Sequence, residues 1–293
     1  MILSEAEFHE VATLEQASEL MALWGAEARF LAGGTDLLVD LKTDRYRVGH
    51  VISLNRIAAL RGISPGDGGV RIKALTTVNQ LAASAIIRER FPAILDATRE
   101  MASPQIRNLA TVGGNIASAV PCADLPPILA VLRASLSLWS SSGERVLPLE
   151  AFFIGPRQTA RRSSEILSEI FVPYPPPRFG AAYARFGLRE ANAVAVAGVA
   201  AGLLLGKDGR VAEARICLSA VAPTPKLVTA AESLLVGKVL DRATLDGVTA
   251  AAMDASQPIS DLRGTADFRR ELVGILTRRA LMTAQERAAG GKQ

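Results

Sequence analysis

The sequence predicts an α+β protein of two domains, and three observations lead there. The chain has 293 residues, about twice the length of a common single domain. Its first half mixes helical periods with short strand patterns and two glycine loops, whereas its second half groups three strand-like runs ahead of three helices. Between the halves lies Pro173-Tyr174-Pro175-Pro176-Pro177, which can join neither a helix nor a central strand. With 49% hydrophobic, 21% charged and only 5% aromatic residues, the composition excludes a disordered or collagen-like chain and favours cores of aliphatic side chains.

The first helix is expected from Leu14 to Trp24, where Leu14, Ala17, Leu20, Met21 and Trp24 recur at helical spacing. Thr13 and Gln16 make its capping box and Gly25 its stop. Arg29 to Ala32 reads as a strand running into Gly33-Gly34, after which Thr35 is placed to cap a short helix through Leu41. Val48 to Leu54 is a further strand, and Leu60 to Ile63 with Val70 to Leu75 form a hairpin around Ser64 to Gly69. Helical patterns cover Thr77 to Ser84 and Phe91 to Ala102, and Ser103 to Ala110 leads into a second double glycine, Gly113-Gly114. Asp124-Leu125-Pro126-Pro127 opens an apolar helix. Leu136 to Trp139 and Val146 to Leu149 pair across Ser141-Ser142-Gly143, and Ile166 to Val172 is the last strand before the prolines. Beyond them, Ala181 to Leu188, Ala193 to Leu205 and Val211 to Val221 are strand-like, with a turn at Lys207-Asp208-Gly209. Helices follow at about Lys226 to Leu235, Asp241 to Ala255 and Phe268 to Ala289.

Charge and cysteine usage narrow the chemistry. The 33 basic and 29 acidic residues leave a net charge of +4 scattered along the chain, so nothing favours nucleic acid binding. Arg269, Arg270, Arg278 and Arg279 wind around a C-terminal helix among Leu272, Ile275, Leu276 and Leu281 and read as a solvated face. Cys122 and Cys217 lie far apart without metal-ligand spacing, which argues against a disulfide framework, a zinc site or an iron-sulfur site. His9 and His50, the only histidines, fall in no motif and read as structural or surface residues, and Trp24 and Trp139 read as core. The opening MILSEAEFHEVATLEQ has no basic segment leading into an apolar run, and the longest apolar stretch, Ala193 to Leu205, is too short for a bilayer. A cytoplasmic protein without membrane insertion is expected.

No GxGxxG occurs, and Gly202 to Asp208 lacks both P-loop spacing and its Ser/Thr. What remains is the pair of double glycines, each flanked by a hydroxyl side chain. A double glycine lets backbone approach a ligand with no Cβ in the way and lets successive N–H groups face one phosphate. Thr35 adds a hydroxyl and a helix N-terminus that favours negative charge. A tight turn accounts for either Gly-Gly alone, whereas two in one domain suit the two phosphates of a dinucleotide.

The stretch Leu31-Ala32-Gly33-Gly34-Thr35-Asp36-Leu37-Leu38, and the later Gln105-Ile106-Arg107-Asn108-Leu109-Ala110-Thr111-Val112-Gly113-Gly114-Asn115-Ile116 with Asp124-Leu125, resemble the two FAD-binding signatures of the molybdenum hydroxylase flavoproteins. That family includes the medium subunit of aerobic carbon monoxide dehydrogenase and the central domain of xanthine dehydrogenase. Glu165-Ile166-Leu167 is similar to the end of its FAD domain, and Asp261 to Arg270 resembles its C-terminal signature. The resemblance implies an FAD-binding domain of the vanillyl-alcohol-oxidase (PCMH) type over residues 1–175, with subdomains of about 1–56 and 57–175, and a three-stranded sheet with helices over 179–289.

It also implies site roles. Leu31, Ala32, Gly33, Gly34, Thr35, Asp36 and Leu37 would wrap one side of the FAD pyrophosphate and Thr111, Gly114, Asn115 and Ser118 the other, with backbone donors outweighing side chains. Asp124 would accept hydrogen bonds from sugar or ribityl hydroxyls, or else cap the helix at Leu125. Leu167 would lie against the isoalloxazine, or else be ordinary strand burial. Arg185 stands where many relatives carry a lysine near the flavin and would set a fixed positive charge there, unless it pairs with Glu190 at the surface.

The implied function is the FAD-binding subunit of an oxidoreductase complex. Electrons leave a substrate at the molybdopterin of a large partner, cross the [2Fe-2S] clusters of a small partner, reach FAD and pass to an acceptor such as NAD or a quinone. No catalytic side chain and no metal site are expected in this chain, and two cysteines cannot hold the extra iron-sulfur cluster of the 4-hydroxybenzoyl-CoA reductase flavin subunit. Two other readings remain: a stand-alone FAD-dependent reductase of the same fold, and a non-enzymatic nucleotide-binding or interaction module whose glycines only turn the chain.

Overall fold

The computed structural model describes residues 5–45, 47–189 and 193–290. The chain starts with β1 (Glu7–Glu10), α1 (Leu14–Trp24), β2 (Ala28–Leu31), α2 (Leu37–Lys42) and β3 (His50–Ser53), whose strands form a parallel sheet in the order β1-β3-β2. Thr13 caps α1 by accepting the Gln16 amide, and the Gln16 side chain in turn accepts from the Ala12 amide, one residue earlier than a closed capping box requires. Gly25 ends the helix at φ +51°. Thr35 is not the cap of α2: Gly34, at φ +74°, turns the chain so that Thr35 and Asp36 form a turn, and the N-cap position falls to Asp36 without a side-chain bond.

Next come β4 (Ile63–Gly66), β5 (Gly69–Lys73), α3 (Val78–Ala83), α4 (Ala85–Arg90), α5 (Pro92–Arg99), α6 (Pro104–Arg107), α7 (Val112–Ala117), α8 (Leu125–Val131), β6 (Ser135–Ser140), β7 (Gly143–Pro148), β8 (Phe153–Gly155), β9 (Gln158–Thr159) and β10 (Ile166–Pro173). An antiparallel sheet in the order β4-β5-β10-β6-β7 carries the main core on one face, with Ile72, Ile170 and Leu136 against Leu81, Ile94, Ile116 and Ile128 of the helices. The β4-β5 hairpin turns at Asp67-Gly68, so its first arm starts at Ile63 and Leu60 closes a 3₁₀ turn instead. The second double glycine is not a loop. It lies inside α7, capped by Thr111, because a Cβ on Gly113 would stand 2.6 Å from the Ala74 Cβ and only a bare backbone can seat the helix there.

The last unit comprises β11 (Phe179–Gly187), β12 (Ala195–Leu205), β13 (Val211–Ser219), β14 (Lys226–Leu227), α9 (Ala230–Leu235), α10 (Arg242–Ala255) and α11 (Ala266–Ala288). Its sheet has the three expected antiparallel strands plus the two-residue β14 on the β13 edge. Lys226 and Leu227 pair with Leu218 and Cys217 of β13 where a helix was expected, and α9 starts at Ala230. Among the described residues no helix is long and apolar enough to cross a membrane.

Arg269 departs from the expected solvated face. It is 2% exposed, and its Nη1 donates to the Val196 and Ala220 carbonyls while Nη2 donates to Asp261 at 2.5 Å. Arg270 and Arg278 are partly exposed and paired with Asp267 and Asp246, and only Arg279 is fully on the surface. Arg269 shares the buried face with Leu272, Val273 and Leu276, so the helix turns this cation onto the sheet. Bonds from Arg263 and from Arg269 hold the Asp261 carboxyl well below the usual range. Asp261→Asn, which leaves the buried guanidinium uncompensated, is therefore expected to cost about 3 kcal/mol at neutral pH in urea unfolding. Because the folded-state value is depressed, the wild-type advantage is complete above about pH 4 and fades as pH falls further.

Candidate functional site

The two glycine segments meet backbone to backbone. A Cβ on Gly33 would lie 1.9 Å from the Leu109 carbonyl oxygen, and one on Gly114 would lie 3.9 Å from the Ala32 Cβ. Asn55 Nδ2 donates to the Ala32 carbonyl at 2.9 Å and holds the first loop from behind. The N–H groups of Ala32, Gly33, Gly34, Thr35, Asp36 and Leu37 donate to no acceptor among the described residues, so six successive donors stand open where β2 gives way to α2. Leu31 itself points into a small cluster with Leu41, Val48 and Val51.

The second segment works differently from the sequence expectation. Val112 and Gly113 donate to the Thr76 and Ala74 carbonyls, Gly114 to Thr111 Oγ1, and Asn115 to the Thr111 carbonyl. Its backbone donors are thus engaged inside the protein, because they are the first turn of a helix docked on the end of β5. Side chains remain: Asn115 Oδ1 is buried with no partner, and Ser118 Oγ makes only a 3.4 Å bond to the Asn115 carbonyl. An open amide run on a loop packed against the segment that carries an orphaned buried amide oxygen fits a polyanionic cofactor with hydroxyl donors.

A second constellation ties the first domain to the last. Asp124 occupies the N-cap position of α8 but makes no cap bond; it accepts from Tyr183 Oη at 2.9 Å and from Arg185 Nη1 at 3.0 Å. Tyr183 Oη also meets Ser219 Oγ at 3.2 Å. The Arg185 side chain is 4% exposed, with Nη1 also on the Glu100 carbonyl, Nη2 on the Ala193 carbonyl and Nε 3.7 Å from Glu100 Oε2. Neither the cap account of Asp124 nor the surface account of Arg185 describes this geometry, and Glu190 lies outside the described residues. Burial pushes the Asp124 carboxyl up to about 6, against the lowering effect of Arg185 and Tyr183. Burial, then Asp124, drives the Tyr183 phenol well above its ordinary range.

Tyr183 and Glu100 escaped the sequence reading. Tyr183 carried one signal, since it lies two residues before Arg185 on a strand and so shares its face. Leu167 is buried opposite Leu138 in the main core, beside a bulge at Ser168, as ordinary strand burial requires. Burial pushes the Cys122 thiol up, with Arg263 lowering it and Asp124 and Asp36 adding to the rise.

The class that this geometry defines is a dinucleotide-cofactor domain without the GxGxxG turn of the Rossmann type, braced by a sheet-and-helix domain. Residues 4–175 match the FAD binding domain in molybdopterin dehydrogenase and residues 181–284 the CO dehydrogenase flavoprotein C-terminal domain. The chain is 35% identical to the xanthine dehydrogenase FAD-binding subunit of Escherichia coli O157:H7, covering 98% of both chains. It is 34% identical to the carbon monoxide dehydrogenase medium chain of Hydrogenophaga pseudoflava, covering 99% of this chain and 100% of the relative. The solved carbon monoxide dehydrogenase of that organism superposes with a TM-score of 0.95 over 98% of this chain and 99% of the other, at 34% identity. Quinoline 2-oxidoreductase from Pseudomonas putida 86 superposes with a TM-score of 0.92 over 98% and 99%, at 27% identity. The chain belongs to the FAD-binding flavoprotein family of the molybdopterin dehydrogenases, and FAD is its cofactor.

The raised Asp124 value has a consequence for stability. A folded-state carboxyl above its unfolded value adds stability that is complete below about pH 4 and is lost as pH rises through about 6. The unfolding free energy of the wild type, measured against Asp124→Asn by urea titration, is expected to fall by about 2 kcal/mol between pH 4 and 7. A difference that stays constant with pH places the titration elsewhere.

Proposed function

We propose that this chain is the FAD-binding subunit of a molybdenum hydroxylase complex. It accepts electrons from the [2Fe-2S] clusters of a small partner, supplied by a large molybdopterin partner, and passes them to an external acceptor such as NAD or a quinone in the cytoplasm. The near-complete coverage of subunit relatives supports a partnered chain over a stand-alone reductase. The observation that carries the cofactor site is the open amide run from Ala32 to Leu37, laid against the segment that ends in the orphaned Asn115 Oδ1.

The proposed division is residues 1–175 for the FAD domain, in subdomains of about 1–56 and 57–175, and 179–289 for the C-terminal domain. Bound FAD supplies the electron-carrying ring, and the protein supplies position and electrostatics. The Ala32–Leu37 amides and the Thr35 hydroxyl hold the pyrophosphate from one side. Thr111 and Gly114 shape the opposite wall, with the Asn115 and Ser118 side chains as its polar groups. Leu31 packs behind the first loop with Leu41, Val48 and Val51, and Leu167 packs in the main core. Asp124 and Arg185 position the ribityl and ring end as a pair, and Asp124 largely balances the Arg185 charge.

Two measurements test the reading. FAD is expected to bind the apoprotein at least tenfold more tightly than FMN, which lacks the second phosphate, and equal affinities overturn the assignment of the amide run. Asn115→Asp keeps the side-chain shape but adds a negative charge, so it is expected to lose about tenfold or more in FAD affinity, read by flavin fluorescence, with the far-UV circular dichroism of the apoprotein unchanged. For the complex, a tagged chain recovered from its own cells is expected to bring molybdenum, iron and flavin in fixed ratio. Flavin alone favours the stand-alone reductase.

A further inference from the structure

We propose that Glu7, His9 and His50 form a binding site for one divalent transition-metal ion of the zinc class, independent of the flavin site. The three residues come together through strand pairing alone. In the parallel β1-β3 ladder Glu7 stands opposite His50, and His9, two residues along β1, shares the face of Glu7. Their ligand atoms make a near-regular triangle: His9 Nε2 lies 3.1 Å from His50 Nδ1, and Glu7 Oε2 lies 3.6 and 3.5 Å from those two nitrogens.

A tetrahedral ion with bonds of about 2.0–2.1 Å places its ligands about 3.3–3.4 Å apart, so the triangle needs shifts of only a few tenths of an ångström. Two imidazoles and one carboxylate suit zinc, nickel, cobalt or copper and disfavour magnesium and calcium. The rings are already held, because the Trp24 indole stacks on His50 at 3.9 Å and 9° and meets His9 at 4.4 Å. Glu7, with 72% of its side chain exposed, closes the site from the solvent side and leaves room for water as a fourth ligand. Without an ion, one histidine must present an N–H to the other; on metal binding that proton moves to the far nitrogen of the same ring, which leaves both facing nitrogens as ligands. The ion ties the edge strand β1 to the central strand β3, which stabilises the N-terminal sheet by mass action.

The test uses the full-length, untagged, FAD-loaded protein, stripped with a chelator and dialysed. Isothermal titration with zinc chloride is expected to give one site per chain, and cupric ion is expected to quench the Trp24 share of the tryptophan fluorescence. His50→Asn and His9→Asn should weaken zinc by about a hundredfold and abolish the quenching, and the exposed Glu7→Gln should weaken it by about tenfold with flavin content and circular dichroism unchanged. Absence of a one-to-one zinc isotherm overturns the proposal, and so does binding of undiminished affinity in His50→Asn or Glu7→Gln, which would place the ion on other ligands such as Cys122. A misfolded histidine variant leaves Glu7→Gln to decide.

Discussion

The first glycine loop can rest on the Leu109 carbonyl only because position 33 has no Cβ. That close approach joins the parallel N-terminal sheet to the helical layer of the larger subdomain, and the site depends on it. Gly113 does the same on the other side, seating α7 against Ala74 so that the Val112 and Gly113 amides reach the carbonyls at the end of β5. Gly34 is required instead by its φ of +74°, with a substituted Cβ also pressed between Leu38 and Leu31. Most of the glycine signature therefore serves contacts of the chain with itself. What those contacts leave over is an amide run with no acceptor among the described residues on one side and side-chain polar groups on the other.

The Asp124 network extends this logic to the C-terminal domain. Tyr183 and Arg185 on β11 and Ser219 on β13 converge on a carboxylate at the start of α8, while Arg287 of α11 reaches Asp96 of α5. Buried ion pairs of this kind add little net stability over apolar packing, but separating one is costly, so they fix a relative placement. The carboxylate at the start of α8 is thereby held in place by the domain behind it.

Local chemistry was legible in the sequence and long-range chemistry was not. Thr13, Thr77, Thr111 and Thr265 each accept an amide three residues on, and Asp241 does likewise, so the helix starts follow from near neighbours. The proline break and the central strand at Ile166 likewise follow from residue type. The two cofactor signatures were read as motifs, yet the helix through Gly113-Gly114 was missed because the helical fit is made by Ala74, 39 positions away. Arg269 was misread for a related reason: α11 packs between the sheet and α10, so a basic stripe on its sequence does not reveal which face is wet. The His9–His50 contact spans 41 residues and the Asp124–Arg185 contact 61, separations at which spacing carries no information.

The arginine at position 185 gains a physical account from these contacts. Its planar fork reaches the Asp124 carboxylate, the Glu100 carbonyl and the Ala193 carbonyl at once, through two Nη atoms with fixed directions. A lysine ammonium at the end of a flexible stem could satisfy Asp124 but could not hold α5, α8 and the start of β12 in one plane. In this chain the arginine therefore acts as a brace between these segments. Since Asp124 lies 3.0 Å away and is itself buried, the field that the pair projects is closer to a dipole than to an isolated cation. The orientation of the Asp124–Arg185 pair is set by Tyr183, Ser219 and Glu100.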